Sequence, residues 1–116
     1  MVGVDIVAIS RIERLIEKSG EKFTQRLLHK DEMLLAKSPQ TIAGFWAAKE
    51  AISKALGCGI GSELSFLDIK IYKTKSGQPY FKLPSKIVQK YNIKKSSLSI
   101  SHDNGFAIAV AIIESD

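Results

Sequence analysis

The chain has 116 residues and one cysteine, and 17 basic against 12 acidic side chains give it a net charge of +5. That length suits one domain, so residues 1–116 read as a single unit; Cys58 alone excludes an internal disulfide framework and argues against a cysteine-bound zinc. No apolar run reaches the roughly 18–20 residues of a membrane span and no signal-peptide pattern follows Met1, so a cytoplasmic protein without membrane contact is expected, and its charge favours an anionic partner.

Val2 to Ile9 is apolar apart from Gly3 and Asp5 and predicts a buried strand. Ser10-Arg11-Ile12-Glu13 has capping-box form, which predicts Ser10 as the cap of a helix over about 11–18. Ile12, Leu15 and Ile16 mark its apolar face, and Arg11, Arg14 and Lys18 fall on another. Short helices are expected over 23–28 and 31–37. Pro39 breaks the chain before a long helix from about Thr41 to Leu56, with Gly57 in the C-terminal cap position. Gly57-Cys58-Gly59-Ile60-Gly61 is a loop whose glycines permit positive φ.

From Leu67 the period becomes two: Leu67, Ile69 and Ile71 alternate with Asp68, Lys70 and Tyr72, as on a half-buried strand. Lys75-Ser76-Gly77 supplies a turn and 79–83 a return strand. Ser85 is placed to cap a helix reaching Tyr91. Strands over 98–102 and 106–113 flank Asn104-Gly105, a strong hairpin signal. Helices come mainly first and strands later, so an α+β fold is expected, an antiparallel sheet packed against the long helix.

The chemistry concentrates in the long helix, where Trp46-Ala47-Ala48-Lys49-Glu50-Ala51 and Lys54 put three charges among alanines. Glu50 and Lys54 have the spacing of an ordinary helical ion pair. A helix this apolar packs closely on its neighbours, however, and its charges need solvent or a bound ion. Asp5, on a buried strand, either caps the next helix or joins Glu50 around a hard cation such as Mg²⁺, which takes few protein carboxylates. Lys54, and from another angle Lys49, would meet a phosphate, and amides of the loop from Gly57 would face an anion. Ser101 and His102 are adjacent on a strand, so they point to opposite faces and make no hydrolase pair; a phosphate contact at a strand end is more economical. His29 is expected at the surface and Cys58 in a structural role.

Taken in order, Gly3-Val4-Asp5-Ile6, Phe45-Trp46-Ala47-Ala48-Lys49-Glu50-Ala51, Ser53 to Gly57, Gly59-Ile60-Gly61, Leu64 to Ile69, Gly77-Gln78-Pro79-Tyr80 and Ser99-Ile100-Ser101-His102 resemble the holo-acyl-carrier-protein synthase group of 4′-phosphopantetheinyl transferases. The length resembles the small single-unit form. The resemblance implies that fold and a reaction: coenzyme A gives its phosphopantetheine arm to a serine of an acyl carrier protein, for fatty acid biosynthesis, and adenosine 3′,5′-bisphosphate leaves. It further implies Mg²⁺ on Asp5 and Glu50, Lys54 against the phosphates, and Gly57, Ser101 and His102 about coenzyme A. The serine proton would go to Glu50 or to a metal-bound water. Arg11 and Arg14, then Lys22 and Arg26, would dock an acidic carrier, and the assembly would be a homotrimer with sites between subunits. Phe45 departs from the group, many of whose members carry arginine there.

The competing reading is a basic module that holds nucleic acid by its phosphates. It accounts for the net charge and the glycine loop, but gives Asp5 and Glu50 no purpose.

Overall fold

The computed structural model describes residues 1–116. Strand β1 (Val2–Ala8) pairs antiparallel with β5 (Phe106–Ser115) from Val2 opposite Ile112 to Ala8 opposite Phe106. Strand β5 also pairs with β4 (Ile93–Asp103), giving the order β1-β5-β4. Asn104 and Gly105 turn the β4–β5 hairpin with φ of 53° and 85°, the left-handed pair that a two-residue type I′ turn needs.

Helix α4 (Pro39–Leu56) lies across one face of this sheet. Ser38 caps it by accepting from the Thr41 N–H at 3.2 Å, Pro39 takes its first position, and Gly57 ends it at φ 82°. Toward it β5 turns Ala107, Ala109, Ala111 and Ile113, all fully buried, and small side chains let helix and sheet approach. Gly3 on β1 takes that approach to its limit: a Cβ there would fall 1.9 Å from the Ala51 carbonyl oxygen. The face of β1 bearing Gly3 also bears Asp5 and Val7, so this contact sets Asp5 beside α4.

Helices α1 (Ile9–Ser19), α2 (Glu21–Leu27) and α3 (Lys30–Leu35) follow β1, and α1 packs Ile12 into the core. A 3₁₀ turn (Phe66–Asp68) leads to the hairpin of β2 (Lys70–Lys73) and β3 (Pro79–Lys82), then to α5 (Ser85–Lys90). Ile71 and Phe81 fasten that hairpin to the core. No helix is long and apolar enough to cross a membrane.

The α+β architecture matches the sequence expectation, and five local details differ. Strand β1 is not buried throughout: it buries one face against α4 and leaves Val2, Val4 and Ile6 exposed on the other. Ser10 is not a cap: β1 runs straight into α1, and the Ile9 N–H is already satisfied by the Gly105 carbonyl at 2.9 Å. Leu67 is not in a strand, because Ser65 and Asp68 form a tight turn and leave Leu67 exposed. Ser85 begins α5 without capping it. Strand β4 starts at Ile93, five residues early, since Ile93 packs against the core and the backbone ladder to Glu114 and Ser115 carries the strand through the polar residues that follow it.

Candidate active site

Where β1 crosses α4, three predicted side chains meet. Glu50 and Lys54 are one turn apart on the same helical face, and Asp5 faces them from β1. Lys54 Nζ donates to Asp5 Oδ1 at 2.8 Å and to the Val4 carbonyl at 3.3 Å. The Lys54 side chain is 52% exposed and that of Asp5 13%, so the pair opens to solvent on one side. Burial, and then the charge of Asp5, push the Glu50 carboxyl above its usual range; Lys54 and Arg11 pull it back. Two oxygen donors that repel each other at an open rim suit a hard cation. Asp5 and Glu50 are the whole acidic set, for no group of three or more potential metal ligands exists. That fits Mg²⁺, which fills its octahedron with waters and substrate phosphates.

Arg11 does not simply extend into solvent. Its guanidinium lies 5.4 Å from the Trp46 ring centroid, and Trp46 precedes Glu50 by one turn. Trp46 packs in turn on Phe66 at 4.8 Å and Phe23 at 5.9 Å. Arg11, Arg26, Leu15, Phe23, Trp46 and Phe66 border a shallow apolar depression of about 280 Å³. Arg14 is exposed on the same helix.

His102 is at the other end of α4. Its Nε2 is 2.8 Å from the Gln40 carbonyl, which assigns the proton to Nε2. Gly44 makes room for it, since a Cβ there would be 3.0 Å from His102 Nε2. His102, Gly44, Thr41, Phe45, Lys73 and Pro79 line a cavity of about 230 Å³. Ser101 points to the opposite, open face of the sheet, as strand alternation requires. Within one chain, therefore, Ser101 and His102 do not share a site.

Two expectations are corrected. Lys49 meets no open phosphate site; it is fully buried and paired with Glu32 at 2.8 Å. Nor do the glycine amides of the loop face an anion. Gly57 N–H donates to the Lys54 carbonyl, Gly59 N–H to Ser53 and Gly61 N–H to Leu64, so all three close the loop on itself. Gly57 contributes its backbone turn and open space, with nothing within 4 Å of where a side chain would start. Cys58 sits half-buried over the Ser53 carbonyl, and the His29 ring meets the Leu67 carbonyl. Lys73, Thr41 and Gly44 were not among the residues that sequence reasoning singled out; only Gly44, a lone glycine inside a helix, carried a signal.

The family model for the 4′-phosphopantetheinyl transferase superfamily matches residues 1–111. The holo-[acyl-carrier-protein] synthase of Nautilia profundicola is 60% identical over 113 residues, covering 97% of this chain and 98% of its own. That of Campylobacter curvus is 59% identical, covering 97% and 99%. The structure of the Helicobacter pylori holo-[acyl-carrier-protein] synthase in complex with coenzyme A is similar at TM-score 0.96 and 50% identity, covering 98% of this chain and all of that one. A Bacillus anthracis synthase in complex with coenzyme A (3′,5′-ADP) is similar at TM-score 0.83 and 37% identity, covering 99% and 96%. This chain belongs to the 4′-phosphopantetheinyl transferase superfamily, as an enzyme of the holo-[acyl-carrier-protein] synthase type.

Proposed function

We propose that Asp5, Glu50 and Lys54 form the centre at which the phosphopantetheine arm of coenzyme A passes to a serine of an apo acyl carrier protein. The observation that carries this is their convergence where β1 crosses α4. The serine hydroxyl gives up its proton to the Glu50 carboxylate or to water as its oxygen bonds to the phosphorus bearing pantetheine, the bond to the bridging diphosphate oxygen breaks, and adenosine 3′,5′-bisphosphate leaves. Such a displacement depends on positioning and charge neutralisation, not on a protein nucleophile.

Asp5 and Glu50 would hold Mg²⁺, which would supply Lewis acidity toward the diphosphate. Lys54 is long and half exposed, so it swings from Asp5 toward phosphate oxygens as negative charge builds on the leaving group. The open space at Gly57 admits the diphosphate against the last turn of α4. The nucleotide end enters the cavity lined by His102, Thr41 and Lys73. Phe45 is buried at its wall, so Lys73 is the cation placed to answer the phosphate there.

The apolar depression between Arg11 and Arg26, with Arg14 and Lys22 nearby, receives an acidic amphipathic segment of the carrier. Val2, Val4, Ile6 and Ile112 are exposed together on the sheet face away from α4, beside Ser101. Uncovered apolar faces of this kind mark interaction sites, and we read this one as a subunit interface. A homotrimer packed there brings Ser101 of one protomer toward the site of its neighbour, which accounts for its separation from His102.

The experiment is to mix the protein with coenzyme A, Mg²⁺ and an apo acyl carrier protein and to weigh the carrier. A gain of one phosphopantetheine, abolished by chelator and by Glu50→Gln, is expected. No gain with several carriers would overturn the reading, and full rate in Glu50→Gln would overturn the metal assignment.

A further inference from the structure

The transfer site leaves two buried charges without a role. Glu32 and Lys49 are both 0% exposed. Lys49 Nζ donates to Glu32 Oε1 at 2.8 Å, to the Leu27 carbonyl at 2.6 Å and to the Phe66 carbonyl at 3.1 Å, which uses all three of its N–H bonds. Glu32 Oε1 also accepts from the His29 N–H, and Oε2 from the Ile71 N–H, each at 2.9 Å. One ion pair thus ties α4 to the end of α2, the start of α3, the 3₁₀ turn and β2.

Stability does not account for such a pair. Withdrawing two charges from water costs about as much as their attraction returns, and apolar side chains of similar volume often serve as well or better. What apolar contacts cannot supply is direction. Lys49 is the covalent neighbour of Glu50, and its three fixed bonds set the rotation of that turn of α4. By holding the Phe66 carbonyl it also sets the Phe66 ring under Trp46, and Trp46 in turn carries Arg11 beside Glu50.

We propose that Glu32 and Lys49 are positioning residues for the transfer reaction: their pair fixes the turn that presents Glu50 and the Phe66–Trp46–Arg11 stack next to it. This rests on the reading of Glu50 as a metal ligand. The pair touches neither substrate nor metal and acts only through what it holds.

The double variant Glu32→Gln/Lys49→Met tests it. Both charges go; the side-chain amide introduced in place of Glu32 keeps an acceptor for the Ile71 N–H and a donor for one of the carbonyls that Lys49 held, and leaves the His29 N–H and the other carbonyl unpaired. The double variant should melt below the parent but well above Lys49→Met alone, which strands the Glu32 charge. In the double variant the affinity for Mn²⁺ in the presence of coenzyme A, read from the free-ion resonance signal, and kcat should each fall roughly 10- to 100-fold, as for lost supports of metal ligands. KM for coenzyme A should hold.

Trp46 is the sole tryptophan, so its emission should shift to the red and quench more readily with acrylamide. Parent Mn²⁺ affinity and kcat in the double variant would overturn the proposal. Should that variant not fold, unchanged Trp46 emission and Mn²⁺ affinity in folded Glu32→Gln would overturn it equally. Glu50→Gln separates the two readings. Full activity there removes the metal assignment itself; an inactive Glu50→Gln beside a fully active double variant removes only the positioning role.

Discussion

Gly3 lies so close under Ala51 that a methyl group on it would reach 1.9 Å from the Ala51 carbonyl oxygen and 2.6 Å from the Ala55 nitrogen. Both neighbours are backbone of α4, so no side-chain rotation relieves the clash. Gly3→Ala must therefore push β1 and α4 apart. Overpacking typically costs about 1–3 kcal/mol, and a backbone clash belongs at the upper end. The same displacement lengthens the Asp5–Lys54 contact. A fall in the urea midpoint together with a fall in kcat is expected, and an unchanged midpoint would show that the layers are not held at this spacing.

Arg11 and Arg14 share a helix but not an environment. Both are exposed, but only Arg11 of the two is stacked on Trp46 and acts electrostatically on Glu50. Arg14→Ala should raise KM for the carrier about five-fold, the worth of a ~1 kcal/mol exposed ion pair, with kcat unchanged. Rising salt should erase the difference between Arg14→Ala and the parent. Arg11→Ala should lower kcat as well. Equal effects of the two on kcat would mean that Arg11 is only a docking residue. Steady-state kinetics at two ionic strengths decides.

Periodicity and turn chemistry made much of the fold legible, and local sequence could not supply the rest. Asn104-Gly105 fixed the hairpin because only a left-handed pair closes it, and Gly57 fixed the end of α4 for the same reason. Ser10 misled because α1 begins one residue before it, at Ile9, whose N–H is held by the Gly105 carbonyl, so Ser10 lies inside the helix and not at its cap. Asp5, Glu50 and Lys54 were found as residue types that make little sense in apolar surroundings. Lys49 had the same oddity and the opposite answer. Its partner Glu32 is 17 residues away, and no spacing rule links the two. Lys73 was invisible because a lysine on a polar strand phase looks like any solvated side chain.

The face of β1 bearing Val2, Val4 and Ile6 is apolar and exposed, beside Ile112 of β5. Val4 is 56% exposed and pairs with Val110 at the middle of that face. If protomers meet there, Val4→Lys buries an unpaired ammonium at the interface, a cost that a small interface does not tolerate. Sedimentation should find the parent as a trimer and Val4→Lys as a monomer. Transfer should fall with assembly, because Ser101 then reaches no neighbouring site. A parent that sediments as a monomer would remove the interface.

Glu50 makes the site costly to the unliganded fold. Burial foremost, then Asp5, raises its carboxyl above the usual range. A carboxyl that is raised on folding binds its proton more tightly in the folded state. Its contribution is therefore most favourable below the unfolded value of about 4.3, and it is lost as pH rises through the folded value. At neutral pH the ionised group is a net burden that a divalent cation offsets. In chelator, Glu50→Gln should melt above the parent near neutral pH, and the gain should vanish on acidification to about pH 4. Mg²⁺ with coenzyme A should raise the parent's Tm by mass action and the variant's far less. Scanning calorimetry at the two pH values, with and without metal, measures all four quantities. A variant less stable than the parent in chelator at neutral pH would mean that Lys54 and Arg11 outweigh burial and Asp5, and the carboxylate would then be a stabilising partner before any cation arrives.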